Sequence, residues 1–299
     1  MEIGLLGGLF NKGVPSWITG SSNSWVLSTA TKPTATYWHG CALANGRIYC
    51  AQGFAKSENL GILDVYDPET NTWETKTGTG NKFCHCTQSV ISDGRYIHCL
   101  AYTYHKVYDT IDDIWYNHAI MPTNRYNLVT EIVENKIYAI GGRDPNGSRK
   151  NINECYDRVT NTWTTKSARP LNDEMMISEV VGDNIYVMGG NSYSSSNTCY
   201  DYKTNTWTTL ANLSAQRLES TSGCINGKIY IVGGFPNNSA HICYDTSTNT
   251  CTTKANIPSG RTAASSVVYN NLLFVIGGTP SSETSDSSSA TNTVYVYIP

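Results

Sequence analysis

The stretch Glu131-Ile-Val-Glu-Asn-Lys-Ile-Tyr-Ala-Ile-Gly-Gly142 reads as a strand, a two-residue turn, and a second strand that stops at paired glycines. The same plan returns in Glu179-Val-Val-Gly-Asp-Asn-Ile-Tyr-Val-Met-Gly-Gly190, in Cys224-Ile-Asn-Gly-Lys-Ile-Tyr-Ile-Val-Gly-Gly234 and in Val267-Val-Tyr-Asn-Asn-Leu-Leu-Phe-Val-Ile-Gly-Gly278. Two divergent copies come earlier, Ala44-Asn-Gly-Arg-Ile-Tyr-Cys-Ala-Gln-Gly53 and Ser92-Asp-Gly-Arg-Tyr-Ile-His-Cys-Leu-Ala101. Asn, Asp and Gly at the turns tolerate the positive φ that tight hairpins require. A strand-dominated period of roughly 40–50 residues marks a repeat architecture.

A second signature follows each hairpin. Tyr66-Asp67 precedes Trp73, Tyr108-Asp109 precedes Trp115, Tyr156-Asp157 precedes Trp163, and Tyr200-Asp201 precedes Trp207, always with a Tyr-to-Trp step of seven. The fifth copy keeps Tyr244-Asp245 and has Cys251 where the others have Trp. Each repeat therefore carries four strands, with glycines ending one and an aromatic pair on the next two.

This spacing resembles the kelch repeat over residues 23–299. The resemblance implies an all-β, six-bladed propeller with four antiparallel strands per blade. The sixth copy breaks off after Val294-Tyr-Val-Tyr-Ile-Pro299, before any Trp, while an isolated Ser22-Asn23-Ser24-Trp25 stands near the start. An N-terminal strand carrying Trp25 is expected to close the last blade, which removes two unpaired strand edges. Residues 1–22 form a Gly- and Leu-rich arm ahead of the propeller, expected to dock onto another subunit.

Composition narrows the functional classes. A net charge of -3 with 15% charged residues gives a field too weak, and of the wrong sign, for nucleic acid or anionic membranes. No apolar run is long enough to insert in a bilayer. Glu2 stands where a secretory signal carries positive charge, so synthesis in the cytoplasm without a signal peptide is expected.

The ten cysteines read as structural thiols. Cys155, Cys199 and Cys243 recur every 44 residues just before Tyr-Asp, where the first two copies have Val65 and Val107. Cys84-His85-Cys86 has no second ligand cluster at zinc spacing, so no metal or other cofactor is expected. The six histidines are scattered along the sequence and read as scaffold.

The position thirteen residues before the hairpin aromatic holds Thr36, Arg125, Asp173, Arg217 and Arg261 in five copies, and Cys84 is taken as its counterpart in the second. A ring containing Arg125, Arg217 and Arg261 would grip a carboxylate or an acidic loop, with Trp38, His39 and Tyr126 adding a stacking surface. The competing reading is that arginine there braces the blades through backbone carbonyls. The same face carries the variable loops 54–64, 143–153, 191–198, 235–241 and 279–293, rich in Ser, Asn, Tyr and Gly. Residues 281–290 are nearly all Ser, Thr or acidic.

These features predict a non-enzymatic binding or scaffold module whose loop face meets a protein partner or a cell-surface glycan. Absence of both an attached adaptor domain and a signal fits a phage tail or tailocin-like particle, placing the chain on a virion surface. The alternatives are a carbohydrate-active enzyme resembling sialic-acid epimerases and a cytoplasmic protein-interaction module. The copper-ligand set of the galactose oxidase family, another kelch-like group, finds no matching residues here.

Overall fold

The computed structural model describes residues 13–55, 58–80, 88–192, 194–280 and 289–299. These form six four-stranded antiparallel sheets. Five are continuous in sequence, spanning residues 40–76, 90–117, 129–166, 177–209 and 221–253. The sixth joins Ser265–Tyr269, Leu272–Ile276 and Val294–Ile298 to the N-terminal strand Ser24–Leu27. The innermost strands contact one another in cyclic order, with Gly40–Ala44 of blade 1 meeting both Val90–Ser92 of blade 2 and Ser265–Tyr269 of blade 6. The six-bladed propeller and its closure by an N-terminal strand are both present.

The repeated residues explain why the blades form and adhere. Tyr66, Tyr108, Tyr156, Tyr200, Tyr244 and Tyr297 are fully buried on the third strands. Each hydroxyl donates to an Asn or Asp at positive φ in the turn before the outer strand, as in Tyr66 to Asn71 and Tyr200 to Asn205, both 2.7 Å. Asn161, Asn205 and Asn249 also accept a backbone N–H from the preceding blade, as Asn205 does from Ser167 at 2.8 Å, whereas Asn71 accepts from the Ser28 hydroxyl. The Trp indoles donate backwards to the same segment: Trp115 to Thr77 O, Trp163 to Ala119 O and Trp207 to Ser167 O.

Blade 6 obtains the same set from the far end of the chain. Trp25 lies opposite Tyr297, Asn23 accepts from the Tyr297 hydroxyl at 2.8 Å and from Ala255 N–H at 3.0 Å, and the Trp25 indole donates to Ala255 O at 2.8 Å. Sequence separations of more than 200 residues thus reproduce a pattern that is local in the other blades.

Blade 5 lacks the indole, because Cys251 faces Tyr244. The Ala211 carbonyl that would accept it meets only the Asn197 amide, at 3.3 Å. Cys251→Trp is expected to add the missing bond and cover partly exposed core, raising stability by about 1–2 kcal/mol. Thermal melts check this, with a rise of a few degrees expected.

Residues 13–22, the described part of the arm, lie against their own propeller. Ile18 is buried with Phe274 and Tyr66, and the Trp17 indole donates to Pro68 O at 2.7 Å. Residues 1–12, Cys84, His85, Cys86 and most of 281–290 lie outside the described residues.

Candidate functional site

Gly-Gly segments and the chain entering each next blade build one mouth of the channel. The second glycine of each pair donates to the following blade: Gly142 to Asp173 O, Gly190 to Arg217 O, Gly234 to Arg261 O and Gly278 to Thr36 O, at 2.7–2.9 Å. A Cβ on Gly233 would stand 2.2 Å from the Arg261 carbonyl, so the close approach itself demands glycine. Two residues after the ring position, in the five blades where it is described, Trp38, Asn127, Met175, Glu219 and Ala263 all take φ between 52° and 56°. Their backbones link head to tail: Met175 N–H to Asn127 O, Glu219 to Met175, Ala263 to Glu219 and Trp38 to Ala263. Left-handed non-glycine residues cost roughly 1 kcal/mol each, which these inter-blade bonds offset.

Beneath this ring lie the three arginines. Arg125 is fully buried and donates to Gly141 O at 2.7 Å, Ala139 O at 3.0 Å and the Glu154 carboxylate at 2.8 Å. Arg261 is buried against Ser259, Gly260 and Thr293, with its guanidinium 5.1 Å from the Tyr295 ring centre. Arg217 is buried too, and donates to Gln216 O at 3.2 Å. Each closes within its own blade.

Where the ring position is Thr36 or Asp173, the residue four earlier supplies the cation. Lys32 stands before Thr36 and pairs with Asp64 at 2.7 Å, both fully buried. Arg169 stands before Asp173 and donates to Thr198 at 2.9 Å. Asp64, Glu154, Thr198 and Tyr295 all occupy the place two residues before the blade's buried Tyr. Among the described residues, blades 1, 3, 4, 5 and 6 each hold one buried cation at this level, and a fixed offset hides the pattern because Lys32 and Arg169 sit out of register.

The exposed chemistry is one layer up. The residue after each glycine pair, or its equivalent, forms a rim: Phe54, Tyr102, Arg143, Asn191, Phe235 and Thr279. Short β-bridges fix four of these to the chain entering their own blade, Phe54 to Tyr37, Arg143 to Tyr126, Phe235 to Leu218 and Thr279 to Thr262, and a fifth joins Tyr102 to Arg125 at the entry of blade 3. Trp38 and Tyr126 are half-buried here as predicted stacking residues: Trp38 lies edge-on to Phe54 at 5.6 Å and Tyr126 stacks near Tyr102 at 5.1 Å. The Arg143 guanidinium lies 5.8 Å over Tyr126. Arg143 and Arg149 both approach buried Glu174 at 3.4 Å, lining a cleft of about 410 Å³. Two cations share one carboxylate, so the cleft keeps a positive surplus. His39, by contrast, is fully buried in the wall below.

The channel narrows behind the mouth to a cavity of about 260 Å³ lined by the inner strands. Glu131 and Glu179 face it, accepting from Ser178 at 2.7 Å and Ser222 at 2.8 Å. Burial and the like charge of Glu179 push Glu131 up to about 8; burial pushes Glu179 up to about 7. Burial likewise pushes Glu219 up to about 8, against the pull of the Trp38 indole.

A raised carboxylate holds its proton in the folded state after the unfolded chain has released it. Its contribution to stability is therefore lost as pH rises from about 4.5 towards 8. Glu131→Gln is expected to be near neutral at pH 5 and to stabilise at pH 9. The gain is on the order of 1–2 kcal/mol once screening by channel water is allowed for. Melts at the two pH values test the sign.

The scattered histidines are less scattered in space. His98 replaces the hairpin Tyr in blade 2 and meets His105 ring to ring, Nδ1 to Nε2 at 2.9 Å, with His118 bonded to the Tyr156 hydroxyl at 2.7 Å. Burial holds His98 and His105 below their usual range, so they are neutral scaffold near pH 7.

A model of the Kelch motif matches residues 38–77, 124–167 and 178–214, which are blades 1, 3 and 4. The chain is 30% identical over 140 residues to Kelch-like protein 23 of Pongo abelii, covering 42% of this chain and 24% of that protein. It is 32% identical over 85 residues to an F-box/kelch-repeat protein of Arabidopsis thaliana, covering 28% of this chain and 21% of that one. The matches thus span about a quarter of the length of these relatives. With six four-stranded blades in register and the Kelch motif recognised in three of them, the chain is a six-bladed β-propeller that carries kelch repeats.

Proposed function

We propose that this propeller is a non-enzymatic recognition module that captures a partner protein on its loop face. The observation that carries this reading is the half-buried rim. Aromatic residues from blades 1, 2, 3 and 5 stand with Arg143 and Arg149 around one mouth, a composition enriched at binding hot spots. The positive surplus over Glu174 favours a partner loop that carries carboxylates, which arginine forks bind bidentately. A cell-surface glycan or a place in a phage-tail-like particle are narrower versions of the same binding role.

The experiment compares quantitative affinity capture by the wild type and by a Phe235→Ala/Arg149→Glu variant, alongside a glycan array. A defined protein recovered by the wild type and lost with the variant supports the proposal. Identical recovery by both proteins contradicts it, and rim-dependent binding to glycans alone replaces the protein partner with a carbohydrate.

A further inference from the structure

We infer that His39, Cys41 and Cys50 form a binding site for one thiophilic divalent ion of the zinc type in the wall of blade 1. Their ligand atoms, one per residue, all lie within 4.8 Å of one another, and all three residues are buried.

The hairpin explains the convergence. Gly40–Ala44 and Arg47–Ala51 are joined by the two-residue turn Asn45-Gly46, which puts Cys41 directly opposite Cys50. Counting from that turn, Cys41 and Cys50 are a non-hydrogen-bonded pair, the arrangement with the closest side chains. The Cys41 N–H accordingly turns outward and donates to the Ser265 hydroxyl of blade 6 at 2.9 Å. The two sulfurs lie 2.8 Å apart. His39 precedes Cys41 by two residues and therefore lies on the same face of the strand.

His39 supplies the independent observation. It is fully buried, and among the described residues neither ring nitrogen has a hydrogen-bond partner. A buried imidazole left this way costs free energy that a metal bond would recover. His39 is wedged between blades, for a Cβ on Gly53 would stand 2.9 Å from the His39 Cβ and one on Gly277 2.6 Å from the ring.

Charge selects the ion. Two thiolates and a neutral imidazole around a doubly charged ion sum to zero, which suits a site in the apolar cluster that includes Ile48, Phe274 and Ile276, where the nearby Lys32–Asp64 pair is itself neutral overall. A singly charged ion would leave one buried negative charge. Tetrahedral metal–sulfur bonds of about 2.3 Å need sulfurs roughly 3.8 Å apart, so the pair must part by about 1 Å, within reach of χ1 adjustment. Cys41 also lines the channel cavity, which gives an ion an entry path past Glu131 and Glu179. Binding releases the thiol protons to solvent and needs no oxidant.

The test uses the full chain, reduced and freed of metal, titrated with Co²⁺ and then Zn²⁺. One equivalent of Co²⁺ should give sulfur-to-cobalt charge-transfer absorption that Zn²⁺ abolishes. Cys41→Ala and Cys50→Ala should lose that band, His39→Gln should weaken binding at least about tenfold, and Cys155→Ala should behave as wild type. Zinc-edge absorption of the wild type, which needs no variant, should report a shell with two sulfurs. A shell of nitrogen and oxygen alone, or undiminished binding in both Cys variants, overturns the site. Uptake of Cu⁺ without Zn²⁺ or Co²⁺ overturns the ion class. Recovery of a Cys41–Cys50 disulfide in place of metal from protein isolated without reductant overturns it too.

Discussion

Removal of residues 1–27 is expected to destabilise the propeller more than any single substitution and to make it self-associate. The deletion strips the outer strand from Tyr295–Ile298, with its register Ser24 to Ile298 and Leu27 to Tyr295. It removes the Asn23 acceptor and the Trp25 indole that fasten blade 6 to Ala255 of blade 5. It also takes away Trp17 and Ile18, which cover the junction of blades 6 and 1. Loss of the Trp25 side chain alone costs at least about 3 kcal/mol. The unpaired edge left behind is a template for intermolecular pairing. Urea unfolding should show a collapsed midpoint or a broadened, multi-step transition, and size-exclusion chromatography should show oligomers. A truncated chain that melts within about two degrees of the full one would show that the ring does not depend on this strand.

Arg125→Ala is the point substitution with the largest expected effect. It deletes three donors at once and leaves the Glu154 carboxylate buried with Thr123 as its remaining partner. Breaking one side of a buried pair costs about 3–5 kcal/mol, a fall in melting temperature of roughly 10 °C for a chain of this size. Replacing both Arg125 and Glu154 with methionine should recover much of the loss, since two apolar groups need no partners. Arg217→Ala should cost far less, because its side chain donates to a single neighbouring carbonyl.

The repeat made the fold legible because its marked residues act within or between adjacent blades. The Tyr hydroxyl needs the turn Asn, the indole needs the preceding blade, and Gly-Gly needs room for the next chain, so each constraint returns at a fixed step. Closure was legible for the same reason: a blade that lacks its Trp and a Trp that lacks its blade point to each other. The site was less legible. A fixed offset placed Arg125, Arg217 and Arg261 on a ring, whereas their side chains lie beneath it and share their role with Lys32 and Arg169. The rim residues Phe54, Phe235 and Arg143 differ from blade to blade, so no repeat marks them. Cys41 and Cys50 match no linear ligand motif, and only the hairpin register brings them face to face.

The buried bracing layer and the proposed recognition rim above it should respond differently to substitution, and one paired measurement tests that difference. Melting temperature and partner capture per folded molecule are measured for Arg125→Ala and Arg217→Ala on one side and for Phe235→Ala/Arg149→Glu on the other. The prediction is lowered stability with capture retained for Arg125→Ala, little change in either for Arg217→Ala, and lost capture at unchanged stability for the rim variant. Loss of capture by Arg217→Ala at an unchanged melting temperature would contradict it, and would move recognition down to the buried ring.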